Sequence, residues 1–246
     1  MTAFGTITEI WRYPVSSMGG ERLSETEIAA GGLPGDRIWG VVDRRDGDVA
    51  APEKRRHWRP LPNLLSRLHD GHPHVGDAKT GKWLRAGDTD ADALVSSVLE
   101  FDAGLQPHIP FGDTSDGHVA PRYQRADLHI VTTASMAQLA SLLPDPAEVD
   151  SRRFRPNLVI ETPAYVQGFV EHTLIGRTLE IGTVRIEIVE PCARCSFTAL
   201  AQGELAFEPA VLHKISAHGE GGFGVLCKVV QTGDVRLGDQ AVLIPA

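Results

Sequence analysis

Hydrophobic and polar positions alternate along much of the chain, and the alternation predicts a protein built mainly from strands. Residues 4–15 alternate roughly, with Ile7, Ile10, Trp11 and Val15 apolar, and read as a strand that runs into Tyr13-Pro14-Val15-Ser16-Ser17 and meets a turn at Gly19-Gly20. Glu21 to Ala30 reads as a short strand, closed by the breaker cluster Gly31-Gly32-Leu33-Pro34-Gly35. Asp36 to Asp43 opens on a charged pair and continues as a buried strand, with an Asp46-Gly47 turn signal after it. Short strands follow at Asp127 to Val131 and at Leu158-Val159-Ile160. Residues 174–190 form a hairpin turning at Gly182-Thr183, whose second arm, Thr183 to Val189, alternates apolar and polar residues. Residues 221–230, 233–239 and 241–244 complete the strand pattern.

Helical periods are fewer. Asp88 to Phe101 carries an apolar stripe at Leu94, Val95, Val98 and Leu99, with Asp88 or Thr89 as cap. A second helix opens at Thr132-Thr133-Ala134-Ser135, with Thr133 as N-cap and Met136, Leu139, Ala140 and Leu143 as its buried face. Glu208 to Ile215 is a third, with Pro209 at its start and Gly219 past its end. Residues 51–87 read as loop-rich and residues 103–126 as one long connection. Many strands, few helices and frequent turns imply a mainly β fold of mixed β/α character, rich in β-barrel.

Composition narrows the setting. A chain of 246 residues holds one large domain or two small ones and can bury a sizeable core. A formal net charge of −8 argues against nucleic acid or an anionic membrane as main partner, yet leaves room for a local basic pocket. Three cysteines argue against a disulfide framework and for a reducing, cytoplasmic location. The first residues lack a basic region and a long apolar run, and no stretch reaches membrane-spanning length, so neither signal peptide nor membrane partner is expected.

Chemistry concentrates at Glu190-Pro191-Cys192-Ala193-Arg194-Cys195-Ser196-Phe197. Pro191 cannot donate to a sheet, so the strand is expected to end there and present both cysteines in a loop. A thiolate is the reactive and metal-binding form of cysteine, and Arg194 beside Cys195 supplies the positive charge that favours it. No second C-x-x-C follows to complete a four-cysteine zinc site, and Ser196 to Leu200 looks extended, unlike the helix start of a redox dithiol. The spacing alone equally allows two small buried hydrophobic cysteines, which is the reading for Cys227 in its strand. Arg152-Arg153-Phe154-Arg155-Pro156-Asn157 precedes a buried strand, and Pro156 keeps its neighbours extended. Arg153 and Arg155 are therefore expected on one side, as an anion grip or as surface ion pairs. Thr133 and its helix start form a second potential anion site, with simple capping as the alternative. The basic run Lys54 to Arg59 reads as solvated surface, and His69, His72 and His74 as a polar turn.

Taken together, these blocks resemble the MOSC family, named for the C-terminal domain of molybdenum-cofactor sulfurase. Tyr13 to Ser17 with Gly31 to Asp43 resembles its N-terminal β-barrel part, and Phe154-Arg155-Pro156-Asn157 its Arg-Pro-Asn block. Pro191 to Cys195 resembles its Cys-x-Arg-Cys signature, and Gly224 through Asp239 its last strands. The resemblance implies an N-terminal β-barrel domain over residues 1–87 and a MOSC β-barrel over 88–246, the two interleaving, with the molybdenum cofactor (molybdopterin) between them. It implies Cys195 as molybdenum ligand and, with Arg194, as catalytic residue. The pterin and its phosphate fall to Ser16, Ser17, Arg37, Thr133, Arg155, Asn157, Ala193 and Arg194. In the branch formed by the amidoxime-reducing components and their bacterial counterparts, the activity is reduction of N-hydroxylated compounds. That branch usually has Lys where Ser16 stands, often Ser where Ala193 stands, and a Val-Asp-Pro-x-Thr-Gly turn where this chain has Ala199-Leu200-Ala201-Gln202-Gly203. The chain has no flavin, haem or iron–sulfur motif, so a reductase of this kind takes its electrons from a separate donor protein and acts on a small-molecule substrate. Two further functions are compatible: a sulfur carrier or sulfurtransferase with a Cys195 persulfide, and a non-catalytic cofactor-binding protein.

Overall fold

The computed structural model describes residues 2–77 and 80–245. The chain opens on β1 (Thr2–Arg12) and, after a turn, forms short β2 (Glu21–Leu23) and β3 (Glu25–Ile28). β4 (Trp39–Asp43) is followed by a three-stranded antiparallel sheet of β5 (Leu64–His69), β6 (His72–Asp77) and β7 (Trp83–Arg85). Helix α1 (Thr89–Leu99) leads to β8 (Ala103–Pro107), which pairs antiparallel with β4. The second part holds β9 (Leu128–Thr132), α2 (Thr133–Ser141), β10 (Leu158–Glu161), β11 (Thr178–Ile181) and β12 (Val184–Ala193). It ends with α3 (Pro209–His218), β13 (Gly222–Gln231), β14 (Gly233–Arg236) and β15 (Gln240–Leu243).

Seven strands in the order β10-β9-β13-β12-β11-β15-β1 close into a barrel, because β1 pairs with β10 as well as with β15; β2 adds to β1 outside the ring. Closure leaves none of the seven with an open edge. In β12, Val184, Ile186 and Ile188 are buried while Arg185 and Glu187 are exposed, the period of two that marks an inward and an outward face. These side chains join Ile7, Ile10, Leu158, Ile160, Ile181 and Val225 in the barrel core. Trp58, Val41, Leu64, Val75, Val95 and Leu105 form a second core under β4–β8 and α1. A third, around Phe154, Phe223, Val131, Leu139, Val211 and Ile215, seats α2 and α3 on the barrel. Among the described strands, β9 and β10 are the one parallel pair, and α2 lies in the crossover between them.

The structure departs from the sequence reading at several places. Residues 51–87 are not mainly loop: they hold β5–β7 and two short 3-10 turns. Ser66 is fully buried in β5 where the period would call for an apolar residue, and its hydroxyl is held by the Gly19 carbonyl at 2.9 Å. His69 and His72 flank the hairpin turn, with Asp70 at φ 50 and Gly71 at φ 72 taking the left-handed backbone a tight hairpin needs. The His72 ring is held by the Ala86 carbonyl at 2.8 Å. The long connection begins with a strand, β8. β12 continues past Pro191 to Ala193, because register shifts on both sides of the proline accommodate its missing donor. Ser196–Ala199 is a 3-10 turn, not extended. The N-cap of α2 is Thr132, whose hydroxyl accepts from the Ser135 amide at 3.1 Å; Thr133 is the first helical residue.

Candidate functional site

The end of β12 presents the two signature cysteines to different surroundings. Near-extended backbone turns neighbouring side chains to opposite faces, so residues three apart diverge. Cys192 is half-buried and turns toward β9 and Arg194. Cys195 is exposed, in extended conformation (φ −118, ψ 178), at the head of the 3-10 turn. Its carbonyl accepts from the Thr198 amide at 3.2 Å and hydroxyl at 3.0 Å, which fixes the backbone while leaving the thiol outward.

Arg194 does not serve Cys195. Its Nη1 donates to Cys192 Sγ at 2.9 Å and its Nη2 to the Phe154 carbonyl at 2.8 Å. His129, from β9, approaches the same sulfur. Burial alone would push the Cys192 thiol up, but the His129 ring and the Arg194 guanidinium outweigh it and bring it down to about 6. Gly224 makes room for this histidine. It sits at φ 74, and a Cβ there would lie 2.5 Å from His129 Nε2. Cys227, by contrast, is buried in β13 and burial pushes its thiol up.

A cluster of cations lies against this loop. Arg37 and Arg155 stack on one Tyr13 ring, their guanidinium carbons 5.0 and 4.2 Å from its centroid. Arg37 Nη2 donates to the Arg155 carbonyl at 2.9 Å, and Arg155 Nη1 donates to the Met18 carbonyl. Arg155 also lies 5.4 Å from the Phe197 ring, two residues beyond Cys195. Asp36 pairs with Arg37 and lies 3.8 Å from Arg125. Burial, and then the neighbouring Arg37, pull Arg155 down to about 10. Arg155 Nη2, Arg194 Nε and the Tyr13 hydroxyl are buried with no hydrogen-bond partner among the described residues. Buried cations beside orphaned donors are costly unless an anion completes them.

Backbone strain gathers at the same place. Six non-glycine residues among those described have positive φ, and three are Ser17 (67), Arg37 (50) and Arg155 (55). Such conformations persist where surrounding structure imposes them, and they concentrate at binding sites. Arg155 in this conformation explains why it parts from Arg153, with which it was expected to share a side. Arg153 is fully buried elsewhere, bonded to Glu148 and to the Leu200 and Ala206 carbonyls, while Arg152 pairs with Asp150.

The structure thus brings Ser16, Ser17, Arg37, Arg155, Ala193, Arg194 and Cys195 to one region, and treats the other two differently. Asn157 is a tie between strands: its Oδ1 accepts from the His129 amide at 3.0 Å and its Nδ2 donates to the Trp11 carbonyl at 3.4 Å. Thr133 lies at the far end of the parallel β9–β10 pair from Arg155, and its hydroxyl accepts from the Thr162 amide at 3.0 Å. The helix start beside it is already filled, because the buried Glu171 carboxylate accepts from Thr132 at 2.7 Å and Ser135 at 2.5 Å. Three residues escaped the sequence reading. His129 left a signal, a lone titratable residue in an apolar strand. Tyr13 opens the stretch Tyr13 to Ser17 that resembles the N-terminal barrel part. His108 had none, being inside an irregular connection. Its Nδ1 faces the Val119 carbonyl at 2.7 Å and must carry the proton, so Nε2 accepts from the Ser16 hydroxyl at 3.0 Å. Burial holds this imidazole below its ordinary value, with Arg125 adding to the effect.

The donor set fits a soft metal on an anionic carrier. One outward thiol suits the metal, and orphaned guanidinium groups suit the anion. Among the described residues no group of three or more His, Cys, Asp or Glu side chains forms a metal cage.

Comparison with known proteins agrees with this architecture. The model described as MOSC domain matches residues 106–242, and that described as MOSC N-terminal beta barrel domain matches residues 4–64. The mitochondrial amidoxime-reducing component 1 of Homo sapiens is 27% identical over 241 residues, covering 80% of this chain and 66% of that protein. The crystal structure of the YuaD protein from Bacillus subtilis superposes with a TM-score of 0.52 at 13% identity, over 99% of this chain and 96% of that one, a likeness of fold.

Proposed function

The chain belongs to the MOSC family, and on that premise we propose that it is a molybdenum-cofactor oxidoreductase reducing N-hydroxylated compounds with electrons from a separate protein. The observation that carries this reading is the Arg37–Arg155 pair stacked on Tyr13, whose buried, incompletely bonded charge calls for an anionic ligand next to an exposed thiol. Cys195 would ligate molybdenum. Arg37, Arg155 and the strained Ser17 turn would hold the phosphate-bearing end of the pterin, with Arg194 and the Ala193 backbone beside the metal. Bound there, molybdenum supplies two-electron oxygen-atom transfer.

The chain's own residues do the rest. Cys192 with His129 fixes Arg194, so that one guanidinium arm stays on the sulfur and one on the Phe154 carbonyl. The His108 ring accepts the hydrogen bond of the Ser16 hydroxyl, which commits that donor and leaves the serine oxygen as an acceptor rather than a phosphate donor. Asn157 holds the Arg155 segment to β1 and β9. The test is to assay cofactor-loaded protein with a chemical reductant on a panel of N-hydroxylated amidines. Amidine formation that depends on Cys195 is expected. Loaded protein that turns over none of the panel overturns the reductase reading.

One observation favours a second reading, sulfur transfer. Arg194 Nη1 donates to Cys192 Sγ at 2.9 Å and His129 approaches the same sulfur, which favours a thiolate there and makes Cys192 the persulfide carrier of this reading. Mass spectrometry after exposure to a persulfide donor separates the two: sulfane sulfur on Cys192 that passes to an acceptor supports transfer.

A further inference from the structure

The basic run Lys54-Arg55-Arg56-His57-Trp58-Arg59 is not remote surface. Ser196, next to Cys195, donates its hydroxyl to the Glu53 carbonyl at 2.7 Å. The Gly203 amide donates to Asn63 Oδ1 at 2.9 Å, and the Arg59 guanidinium lies 6.0 Å from the Phe207 ring. Arg59 and the residues flanking the basic segment, Glu53 and Asn63, thus tie it to the stretch that follows Cys195. Trp58 anchors it: fully buried, it packs edge-on against Phe101 with ring centroids 5.0 Å apart. Lys54, Arg55, Arg56, His57 and Arg59 are left exposed.

The two nearby acids are already engaged, Asp48 by Arg55 and Glu53 by Arg122. Lys54 and Arg56 have no carboxylate partner among the described residues. Beside this collar, Tyr123 is 64% exposed and Phe207 55%. Arginine with exposed aromatics is the composition of a protein-binding patch. In a chain of net charge −8, a cationic collar at the rim of the reactive loop is a local inversion of the overall field.

We propose that Lys54, Arg55, Arg56, His57 and Arg59, with Tyr123 and Phe207, form the docking surface for an acidic protein. This rests on the reading that a separate protein supplies electrons, since the collar borders the one exposed thiol of the signature. The overall negative charge repels any polyanion at long range, so the collar acts by orienting a partner at contact; exposed Tyr123 and Phe207 beside it favour an acidic protein face, turned toward Cys195.

The test separates docking from chemistry. Binding of an acidic flavodoxin, used as probe, is measured by calorimetry at low and at physiological salt, for the wild-type holoprotein and for Lys54→Glu/Arg56→Glu. A single-stranded oligonucleotide is titrated in parallel. Both substituted side chains are exposed, so an unchanged melting curve checks that the fold survives. The expected result is flavodoxin binding that weakens about tenfold with salt and about tenfold in the double variant, with turnover on dithionite unchanged. Equal binding by the variant, no flavodoxin binding, or binding of the oligonucleotide alone overturns the proposal. Loss of dithionite-driven turnover in the wild type would instead count against the reductase reading and leave the binding result standing.

Discussion

At the scale of single residues, the contrast between Arg153 and Arg155 separates a structural arginine from a ligand-holding one. Arg153 is fully buried and bonded to Glu148 and three main-chain carbonyls. Arg155 has a left-handed backbone, a cationic neighbour in Arg37 and an unsatisfied Nη2. Arg153→Met should therefore destabilise the protein by about 3 kcal/mol, because it leaves Glu148 and the carbonyls unpaired. Arg155→Met should leave the melting temperature of cofactor-free protein within a few degrees of wild type and abolish pterin retention; a melt and a pterin fluorescence assay on each variant check both. Cys192 makes a different prediction. With its thiol near 6 instead of its usual 9.0, alkylation by iodoacetamide should reach half its maximal rate near pH 6, and Arg194→Gln should move that midpoint upward. The stability this thiolate contributes is present above its ordinary value and is lost as pH falls through the folded one.

At the scale of elements, the start of α2 and the β9–β13 contact are the places where single changes should tell. Burial raises the Glu171 carboxyl above its ordinary value, against the pull of Ser135 and Thr132. Stability from this group is therefore present below the unfolded value and lost as pH rises through the folded one. Glu171→Gln should remove that decline, so that its advantage over wild type in urea melts is larger at pH 8 than at pH 5. Gly224→Ala places a methyl against His129 and the Ile130 carbonyl in a backbone alanine avoids, and should cost about 2–4 kcal/mol by chemical denaturation. Elements with a clean period were legible in the sequence, such as the β11–β12 hairpin and the face of α1. What was hidden depended on tertiary partners. β5 was obscured by buried Ser66, and the fate of Arg155 by a backbone conformation that extended-chain reasoning after a proline does not anticipate. The cysteine loop was legible as a candidate site, but not the choice of Arg194 for Cys192, which needs the neighbouring His129 to be known.

At the scale of the whole molecule, β1 does two jobs. It closes the barrel between β15 and β10, and the turn that follows it brings the Tyr13 ring and the Met18 carbonyl to Arg155. The candidate site therefore exists only where the first part of the chain meets the second, which accounts for the buried, like-charged Arg37 and Arg155 coming from segments 118 residues apart. Its direct test is the molybdenum and pterin content of protein made in a host that synthesises the cofactor, for wild type, Cys195→Ala and Arg155→Met. The account predicts about one molybdenum per chain in wild type, loss of the metal with a normal melt in Cys195→Ala, and loss of both metal and pterin in Arg155→Met. A well-folded wild-type protein without molybdenum, or a Cys195→Ala variant that keeps it in full, would contradict it.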